Sequence, residues 1–352
     1  MNSKQLFEPL KIRGLVVKNR ICVPPMVTFG LSDNSGQANH RHIEHYRSIA
    51  AGGAGLIIME ATCVTKDGRL AEDQLGIWSD THVEGLKKVV TAVHQEDCPI
   101  LLQIHHAGVV GISRDPLCPD AYPLRPGVTA RKMSIADIHE VQDAFIQGGC
   151  RAYQGGFDGV ELHGCHSYLI SQFMNARVNQ RDDIYGREPQ RFITEIIEKL
   201  REQVPSEFVI GIRLGAFEPT LEAGIQHARL LEQQGVDFIN VSYGFTQEQD
   251  AYAPKGFPFK DVIYAAGEIK KHCQIPVFAV NSIFTPRDAR EVLEITEVDM
   301  VCIGRGILVD SEWPNKVRKG EMPLVCLNCR ECQWHLSRSA YCPGHKKKHK
   351  IK

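Results

Sequence analysis

The sequence lacks several features that mark whole classes of protein. Its 352 residues carry 41 basic and 42 acidic side chains, a formal net charge of -1, so no general attraction to nucleic acid or to an anionic membrane is expected. The opening residues MNSKQLFEPL lack the apolar stretch of a signal peptide, and no apolar run approaches the roughly 18 residues of a membrane span. These absences predict a cytoplasmic protein with a small-molecule substrate and no nucleic-acid or membrane partner.

The hydrophobic pattern predicts an α/β fold, a single (β/α)8 barrel. Eight short apolar runs occur at residues 21–26, 55–61, 100–106, 159–164, 208–215, 238–244, 276–281 and 300–306. Nearly continuous hydrophobicity is typical of parallel strands buried on both faces, and helical patterns separate the runs. Ser134 and Thr285-Pro286 mark two of the helix starts. An open doubly wound sheet is the alternative, but its Gly-rich first turn is replaced here by Pro24-Pro25-Met26.

Three segments are predicted along the chain. Residues 1–320 form the barrel, residues 321–345 form a short cysteine-rich extension, and residues 346–352 form a basic, disordered tail. The polar stretch 107–133, after the third run, is too long for a bare connection and is predicted to be a structured lid or substrate loop.

The fourth apolar run is followed by a dense group of polar side chains. His163, His166 and Tyr168 lie within six residues, at the carboxyl end of a predicted barrel strand, where barrel enzymes place their chemistry. Two imidazoles can stabilise negative charge on one oxygen, and a phenol can protonate a carbon. A structural histidine that caps the strand and a pair of metal ligands are the alternatives.

Other runs end in groups that suit a large anionic cofactor. Gln103 and Arg213 would match a heterocycle with carbonyl and imide edges, unless Arg213 pairs with a core carboxylate. Asn281-Ser282 and Gly304-Arg305 follow the seventh and eighth runs, where barrels commonly bind phosphate. A glycine turn with a surface arginine is the alternative there.

Four motifs in order resemble the old yellow enzyme family of FMN barrels. They are LFEPLKIRGLVVKNRICVPPM, QIHHAG, ELHGCHSYLISQFMNARVNQRDDIYG and VDMVCIGRGILVDSEWPNKV, and the likeness runs from about residue 5 to 320. The resemblance implies FMN as cofactor, NAD(P)H as reductant in a ping-pong reaction, and reduction of an activated C=C bond. A homo-oligomer is also expected.

The resemblance also implies roles for individual residues. His163 and His166 would hold the substrate carbonyl, and Tyr168 would donate the proton. The isoalloxazine would be lined by Pro25, Met26, Ala61, Gln103 and Arg213, and the phosphate by Asn281, Ser282, Gly304 and Arg305. Two positions depart from the family pattern. Val27 stands where Thr or Cys often tunes the flavin potential, and Asn281 stands where Gly is typical.

Twelve cysteines are present, and four of them form a motif near the end of the chain. Cys326, Cys329, Cys332 and Cys342 follow the pattern C-x2-C-x2-C-x9-C, which predicts a metal site in a reduced protein. The spacing leaves zinc and iron-sulfur open. Resemblance to the subgroup of 2,4-dienoyl-CoA reductase and trimethylamine dehydrogenase favours [4Fe-4S] over zinc, with an empty site third.

Members of that subgroup continue into domains that bind FAD or ADP and NAD(P)H, whereas the sequence stops at Lys352. We therefore expect either a separate electron-donor protein or direct reduction by NAD(P)H.

Three rival functions stay open at this point. An amine or betaine demethylase would need an aromatic or acidic cage for a cation, for which Tyr243, Phe245, Tyr252 and Phe257 are candidates. A flavin and iron-sulfur electron-transfer subunit would show little activity alone. A flavin-free aldolase would need a Schiff-base lysine at a strand end, and none of the eight runs contains one.

Overall fold

A computed structural model describes residues 5–125, 128–244, 253–330, 332 and 342–344 of the chain. Phe245 and Tyr252, named above as candidates for a cation cage, lie outside the described residues. So do the predicted tail 346–352 and residues 331, 333–341 and 345 of the predicted extension, although all four cysteines of the motif are described.

Eight parallel strands close into a barrel. The strands of the described residues are β1 (Leu10–Ile12), β2 (Leu15–Val17), β3 (Ile21–Val23), β4 (Leu56–Cys63), β5 (Ile100–His105), β6 (Leu117–Cys118), β7 (Tyr122–Arg125), β8 (Val128–Lys132), β9 (Gly159–Gly164), β10 (Val209–Gly215), β11 (Ile239–Ser242), β12 (Val277–Val280) and β13 (Met300–Cys302). The barrel order is β3-β4-β5-β9-β10-β11-β12-β13, and β13 pairs back onto β3. The predicted (β/α)8 barrel is confirmed, and each of the eight apolar runs supplies one strand.

Helices surround the barrel, and two of them begin after the capping residues predicted from the sequence. They are α1 (His40–Ala51), α2 (Val83–His94), α3 (Ile135–Gln154), α4 (Leu169–Met174), α5 (Ile184–Arg187), α6 (Arg191–Gln203), α7 (Leu221–Gln233), α8 (Asp261–Lys270), α9 (Pro286–Thr296), α10 (Arg305–Val309) and α11 (Trp313–Arg318). Ser134 and Thr285 each form a capping box with the aspartate three residues later. None of the helices in the described ranges is long and apolar enough to cross a membrane.

Apolar side chains fill the amino-terminal end of the barrel. Phe238 and Phe278 stack there with ring centroids 4.7 Å apart. The hairpin β1–β2 packs Ile12 and Val17 against the same cluster. Because this end is filled, a ligand must enter at the opposite end, where the strands finish.

The long segment after β5 forms a small sheet of its own. β8 pairs with β6 in parallel and with β7 in antiparallel fashion. Arg131 on β8 contacts both carboxylate oxygens of Asp137, in the first turn of α3, at 2.9 and 3.2 Å. Arg181 donates to the carbonyl oxygen of Met133 at 2.6 Å. These contacts attach the segment to the barrel wall.

Candidate active site

A cleft of about 260 Å³ lies at the carboxyl ends of the barrel strands. It brings together seven of the nine predicted cofactor residues and one predicted catalytic residue. These are Pro25, Met26, Arg213, Asn281, Ser282, Gly304, Arg305 and His166. Ala61, Gln103, His163 and Tyr168 do not line this cleft directly, and the paragraphs below give their positions.

One end of the cleft is built from unusual backbone. Asn281 and Ser282 have φ angles of 104° and 54°, in the region that favours glycine. A Cβ atom on Gly304 would lie 3.0 Å from the sulfur of Met26, so a side chain has little room there. Arg305 opens α10, whose first amide groups have no partner within the helix. The amide groups at a helix start, beside a guanidinium, suit a phosphate.

A tight turn after β9 brings two imidazoles together. His166 and Ser167 both have positive φ angles, 57° and 66°, an unfavourable conformation that folds the chain back on the strand end. As a result His163 Nε2 lies 3.2 Å from His166 Nδ1. The other nitrogen of His166, Nε2, lies 2.7 Å from Ser242 Oγ at the end of β11.

His105, at the end of β5, extends this chain of imidazoles. Its Nδ1 lies 3.1 Å from His163 Nδ1, while its Nε2 is buried without a hydrogen-bond partner in the described residues. The phenol ring of Tyr168 packs edge-on against His105 and His163, with centroid distances of 4.4 and 4.6 Å. Four polar rings from two strands and one turn therefore form a single cluster.

Burial keeps this cluster uncharged. Loss of water lowers the pKa of His105 to about 3 and holds those of His163 and His166 well below the usual value. Burial also raises the pKa of Tyr168 to about 12, so its phenol stays protonated at neutral pH. The cluster therefore offers neutral N-H and O-H donors rather than imidazolium charges.

Arg213 supplies positive charge to the cleft. Its side chain is buried, its Nη1 lies 3.5 Å from the carbonyl oxygen of Pro25, and its Nε has no partner in the described part of the chain. A buried guanidinium nitrogen without an acceptor is costly unless a ligand supplies one. The arrangement fits an acceptor-rich, anionic ring edge.

Gln103 and a buried glutamate lie in the barrel interior near Arg213. The amide nitrogen of Gln103 donates to Glu161 Oε1 at 2.7 Å, and that of Asn240 donates to Glu161 Oε2 at 2.8 Å. Burial raises the pKa of Glu161 to about 7, and the nearby Arg213 opposes this rise. Gln103 is thus already oriented before any ligand binds.

A second buried glutamate fixes the loop after β3. Glu60 accepts hydrogen bonds from the backbone N-H of Thr28 at 2.7 Å and from the Tyr46 hydroxyl at 3.0 Å. The Thr28 hydroxyl also donates to it. A register shift between Met59 and Thr62 interrupts β4, and Ala61 lies within it. The Thr28 hydroxyl is therefore occupied by its hydrogen bond to Glu60. The half-buried Val27 has no polar group that could take its place at the cleft.

The four cysteines of the motif line one separate cavity. Cys326, Cys329, Cys332 and Cys342 surround it together with Arg305 and Leu308. Arg305 also lines the main cleft and donates to Asn328 Oδ1 at 2.7 Å. The cavity is therefore adjacent to the end of the cleft that suits a phosphate.

A second group of possible metal ligands lies in the imidazole cluster. Ligand atoms of His163, Cys165 and His166 lie within 4.8 Å of one another. However, burial raises the pKa of the Cys165 thiol, and a thiol must lose its proton to bind a metal. The imidazole nitrogens are also engaged by His105 and Ser242. These contacts and the protonated thiol weigh against a metal at this group of residues.

Comparison with known sequences decides the family. The profile of the NADH:flavin oxidoreductase / NADH oxidase family matches residues 5–323. The chain belongs to this family. NADH oxidase from Thermoanaerobacter brockii is 37% identical over 342 residues, 92% of this chain and 52% of that protein. NADPH dehydrogenase from Geobacillus sp. (strain WCH70) is 35% identical over 324 residues, 89% of this chain and 94% of that protein.

Solved structures of two other enzymes share the barrel. A 2-naphthoyl-CoA reductase in complex with 2-naphthoyl-CoA has a TM-score of 0.82 at 25% identity, over 92% of this chain and 54% of that one. An old yellow enzyme homologue from Zymomonas mobilis has a TM-score of 0.78 at 23% identity, over 92% and 95%. The chain thus spans about half the length of the 2-naphthoyl-CoA reductase and of the NADH oxidase.

Several site residues were missed by sequence reasoning. Ser242 lies inside the sixth apolar run, His105 belongs to the QIHHAG motif but was given no role, and Glu161 lies within the fourth run. A polar residue inside a continuously apolar run was the available signal for Glu161. For Ser242 and His105, only the pairing of neighbouring strands shows which imidazole they contact.

Proposed function

We propose that the protein is an FMN-dependent ene-reductase, which uses NAD(P)H to reduce a C=C bond conjugated to a carbonyl or thioester. The observation that carries this proposal is the convergence of His163 Nε2 and His166 Nδ1, 3.2 Å apart, beside the protonated phenol of Tyr168. Two neutral donors aimed at one point suit an oxygen that gains negative charge. They do not suit a cationic amine.

The residues of the cleft fit FMN. The unpartnered Nε of Arg213 matches an acceptor at the edge of the ring, and the backbone around Asn281, Ser282 and Gly304 suits the phosphate. Pro25, Met26, Ala61 and Gln103 are the further proposed contacts to the ring. When bound, FMN supplies a hydride to the alkene after accepting one from NAD(P)H.

Two neighbours set which nitrogen of each imidazole carries the proton. If the Ser242 hydroxyl donates to His166 Nε2, the proton of His166 lies on Nδ1. If His105 Nδ1 donates to His163 Nδ1, the proton of His163 lies on Nε2. In the described structure only one of these protons can lie between the rings, because the facing nitrogens are 3.2 Å apart and one of them must accept; a substrate oxygen bound between the rings would let both donate to it. Ser242 and His105 are therefore positioning residues for an oxyanion site.

Tyr168 is the proposed proton donor. Its hydroxyl stays protonated because burial raises its pKa, and packing against His105 and His163 fixes the ring beside the oxyanion site. After hydride addition to the β-carbon, the phenol would protonate the α-carbon. The product is the saturated carbonyl compound.

The four cysteines are proposed to hold a metal site, with [4Fe-4S] favoured over zinc. Four thiols around one cavity match the ligand set of either. Such a cluster would pass single electrons next to the cleft, so a separate electron-donor protein is one route and direct reduction by NAD(P)H is the other. Assays of iron, labile sulfide and zinc on anaerobically purified protein decide between the metals.

The proposed activity is tested by adding FMN and following NADH or NADPH consumption with 2-cyclohexen-1-one or an enoyl thioester. The 2-naphthoyl-CoA reductase supports the inclusion of thioesters. A 6-hydroxypseudooxynicotine amine oxidase from Pseudomonas geniculata N1 has the same fold, with a TM-score of 0.80, so amines must be assayed in parallel. Turnover of amines without turnover of any enone would overturn the proposal in favour of a demethylase.

A further inference from the structure

Glu161 is fully buried in β9, and none of the steps proposed above uses it. Its two carboxylate oxygens accept hydrogen bonds from Gln103 Nε2 at 2.7 Å and from Asn240 Nδ2 at 2.8 Å. Carboxylates are rarely fully buried unless they are paired, because removal from water disfavours their charged form. A glutamate retained inside a barrel therefore calls for a role.

Two interactions link Glu161 to the wall of the cleft, one purely electrostatic and one through Asn240. Arg213 lines the cleft and acts on the Glu161 carboxylate through its charge. Cys302 also lines the cleft, and its thiol lies 3.7 Å from the carbonyl oxygen of the Asn240 side chain. Glu161 is thus linked to the lining of the proposed flavin site by the charge of Arg213 and, through Asn240, by the thiol of Cys302.

The same hydrogen bonds orient the amide of Gln103. Its nitrogen is committed to Glu161, so its carbonyl oxygen is the atom left to serve as an acceptor. An imide N-H on a bound ring is the donor that such an oxygen would match. Without the carboxylate, the amide could rotate and present either atom.

We propose that Glu161 orients Gln103 and takes up one proton each time the bound flavin is reduced. The inference rests on the proposed FMN site. Hydride transfer from NAD(P)H would add two electrons and one proton to a bound ring and so one net negative charge, and Arg213, which lines the cleft, is the cation that would offset it. A second proton, from solvent, then neutralises Glu161, and the barrel interior keeps the same net charge. Reoxidation of the ring releases this proton.

The physical reason is competition for a single cation. Before reduction, Arg213 and Glu161 balance each other. After reduction, two anions share one guanidinium, and like charges in a buried site raise the pKa of one of them. Because the pKa of Glu161 is already about 7, reduction moves it above neutral pH. Proton uptake is therefore expected in a window that begins near pH 7.

Other titratable groups near Glu161 do not compete for this proton. The thiols of Cys22 and Cys165 act electrostatically with Glu161, and burial raises the pKa of both, so they are already protonated. His163, on the same strand, is held neutral by burial and by Arg213. Gln103 and Asn240 do not titrate.

The test measures the midpoint potential of the FMN-bound protein between pH 6 and 9 by spectroelectrochemistry. Each proton taken up with two electrons changes the potential by about 30 mV per pH unit. Above pH 7, we expect the midpoint potential of the wild type to fall more steeply with pH than that of Glu161→Gln. The difference should reach up to about 30 mV per pH unit, the value for one proton. Glu60→Gln is the matched control, because Glu60 is equally buried, has a pKa of about 7 and contacts Thr28 and Tyr46 instead. Its slope should equal that of the wild type.

Two further readouts make the result decisive. Titration of FMN fluorescence should show weaker binding to Glu161→Gln, because Gln103 loses its orientation. The infrared difference spectrum of wild-type protein at pH 8, oxidised minus reduced, should show a gain of protonated carboxyl on reduction, and this needs no variant. Equal slopes in wild type and Glu161→Gln, or no carboxyl signal, overturn the inference. Failure of the wild type to bind FMN instead overturns the flavin site.

Discussion

Replacing Ser242 with alanine removes one hydroxyl from the side of His166 that faces away from the proposed substrate. The hydroxyl is buried and lies 2.7 Å from His166 Nε2. In the wild type it can hold the imidazole proton on Nδ1, next to His163. In the variant no partner selects this tautomer, so the substrate oxygen loses part of one donor.

The expected magnitude follows from the value of a single hydrogen bond. A neutral intramolecular hydrogen bond contributes about 0.5 to 1.5 kcal/mol, and a tenfold change in rate corresponds to about 1.4 kcal/mol. We therefore expect kcat/KM for the alkene to fall by about twofold to tenfold. His166→Ala removes the donor altogether and should reduce the rate by about 10²-fold or more.

The assay is the oxidative half-reaction in an anaerobic stopped-flow instrument. Protein reduced in advance is mixed with 2-cyclohexen-1-one, and the return of the flavin absorbance gives the rate. Ser242→Thr is the control, because it keeps a hydroxyl at the same position and should retain most of the activity. A wild-type rate in the alanine variant, or an equal loss in the threonine variant, would refute the tautomer argument.

Three further predictions concern the donor, the cysteines and the buried glutamate after β4. Tyr168→Phe should slow product formation by about 10²-fold or more while leaving flavin reduction by NAD(P)H intact; equal product formation would exclude the phenol as donor. Cys329→Ser should lower bound iron or zinc per chain, whereas Cys150→Ser, outside the motif, should not. Burial raises the folded-state pKa of Glu60 to about 7, above its unfolded value of about 4.3, so its contribution to stability is lost as pH rises between these values. Urea unfolding of FMN-free Glu60→Gln should show a smaller fall between pH 5 and 8 than the wild type, and an identical fall would contradict this.

Two departures from the family pattern now have a structural interpretation. Asn281 adopts a φ of 104°, so the backbone conformation that usually requires glycine is kept by a residue that tolerates positive φ better than most. Thr28, one residue after Val27, hydrogen-bonds to Glu60 and cannot replace the missing polar group beside the ring. We therefore expect the tuning of the flavin potential to depend on other residues, with Glu161 as the proposed one.

The barrel itself could be predicted because buried parallel strands require continuous hydrophobicity, and each such run is visible in a single sequence. Local motifs were also visible, because their residues lie close together in the sequence. His163, His166 and Tyr168 lie within six residues of one another, and the cysteines follow a ligand spacing.

Contacts between strands could not be predicted in this way. Ser242 reaches His166 from 76 residues away, and His105 reaches His163 from 58 residues away, because closure of the barrel brings the ends of their strands together. The sequence alone thus determined the fold and the local chemical groups. The tertiary structure decided which polar groups each imidazole contacts and which buried carboxylate lies within electrostatic reach of Arg213, because both depend on strand pairing across the barrel and on exclusion of water.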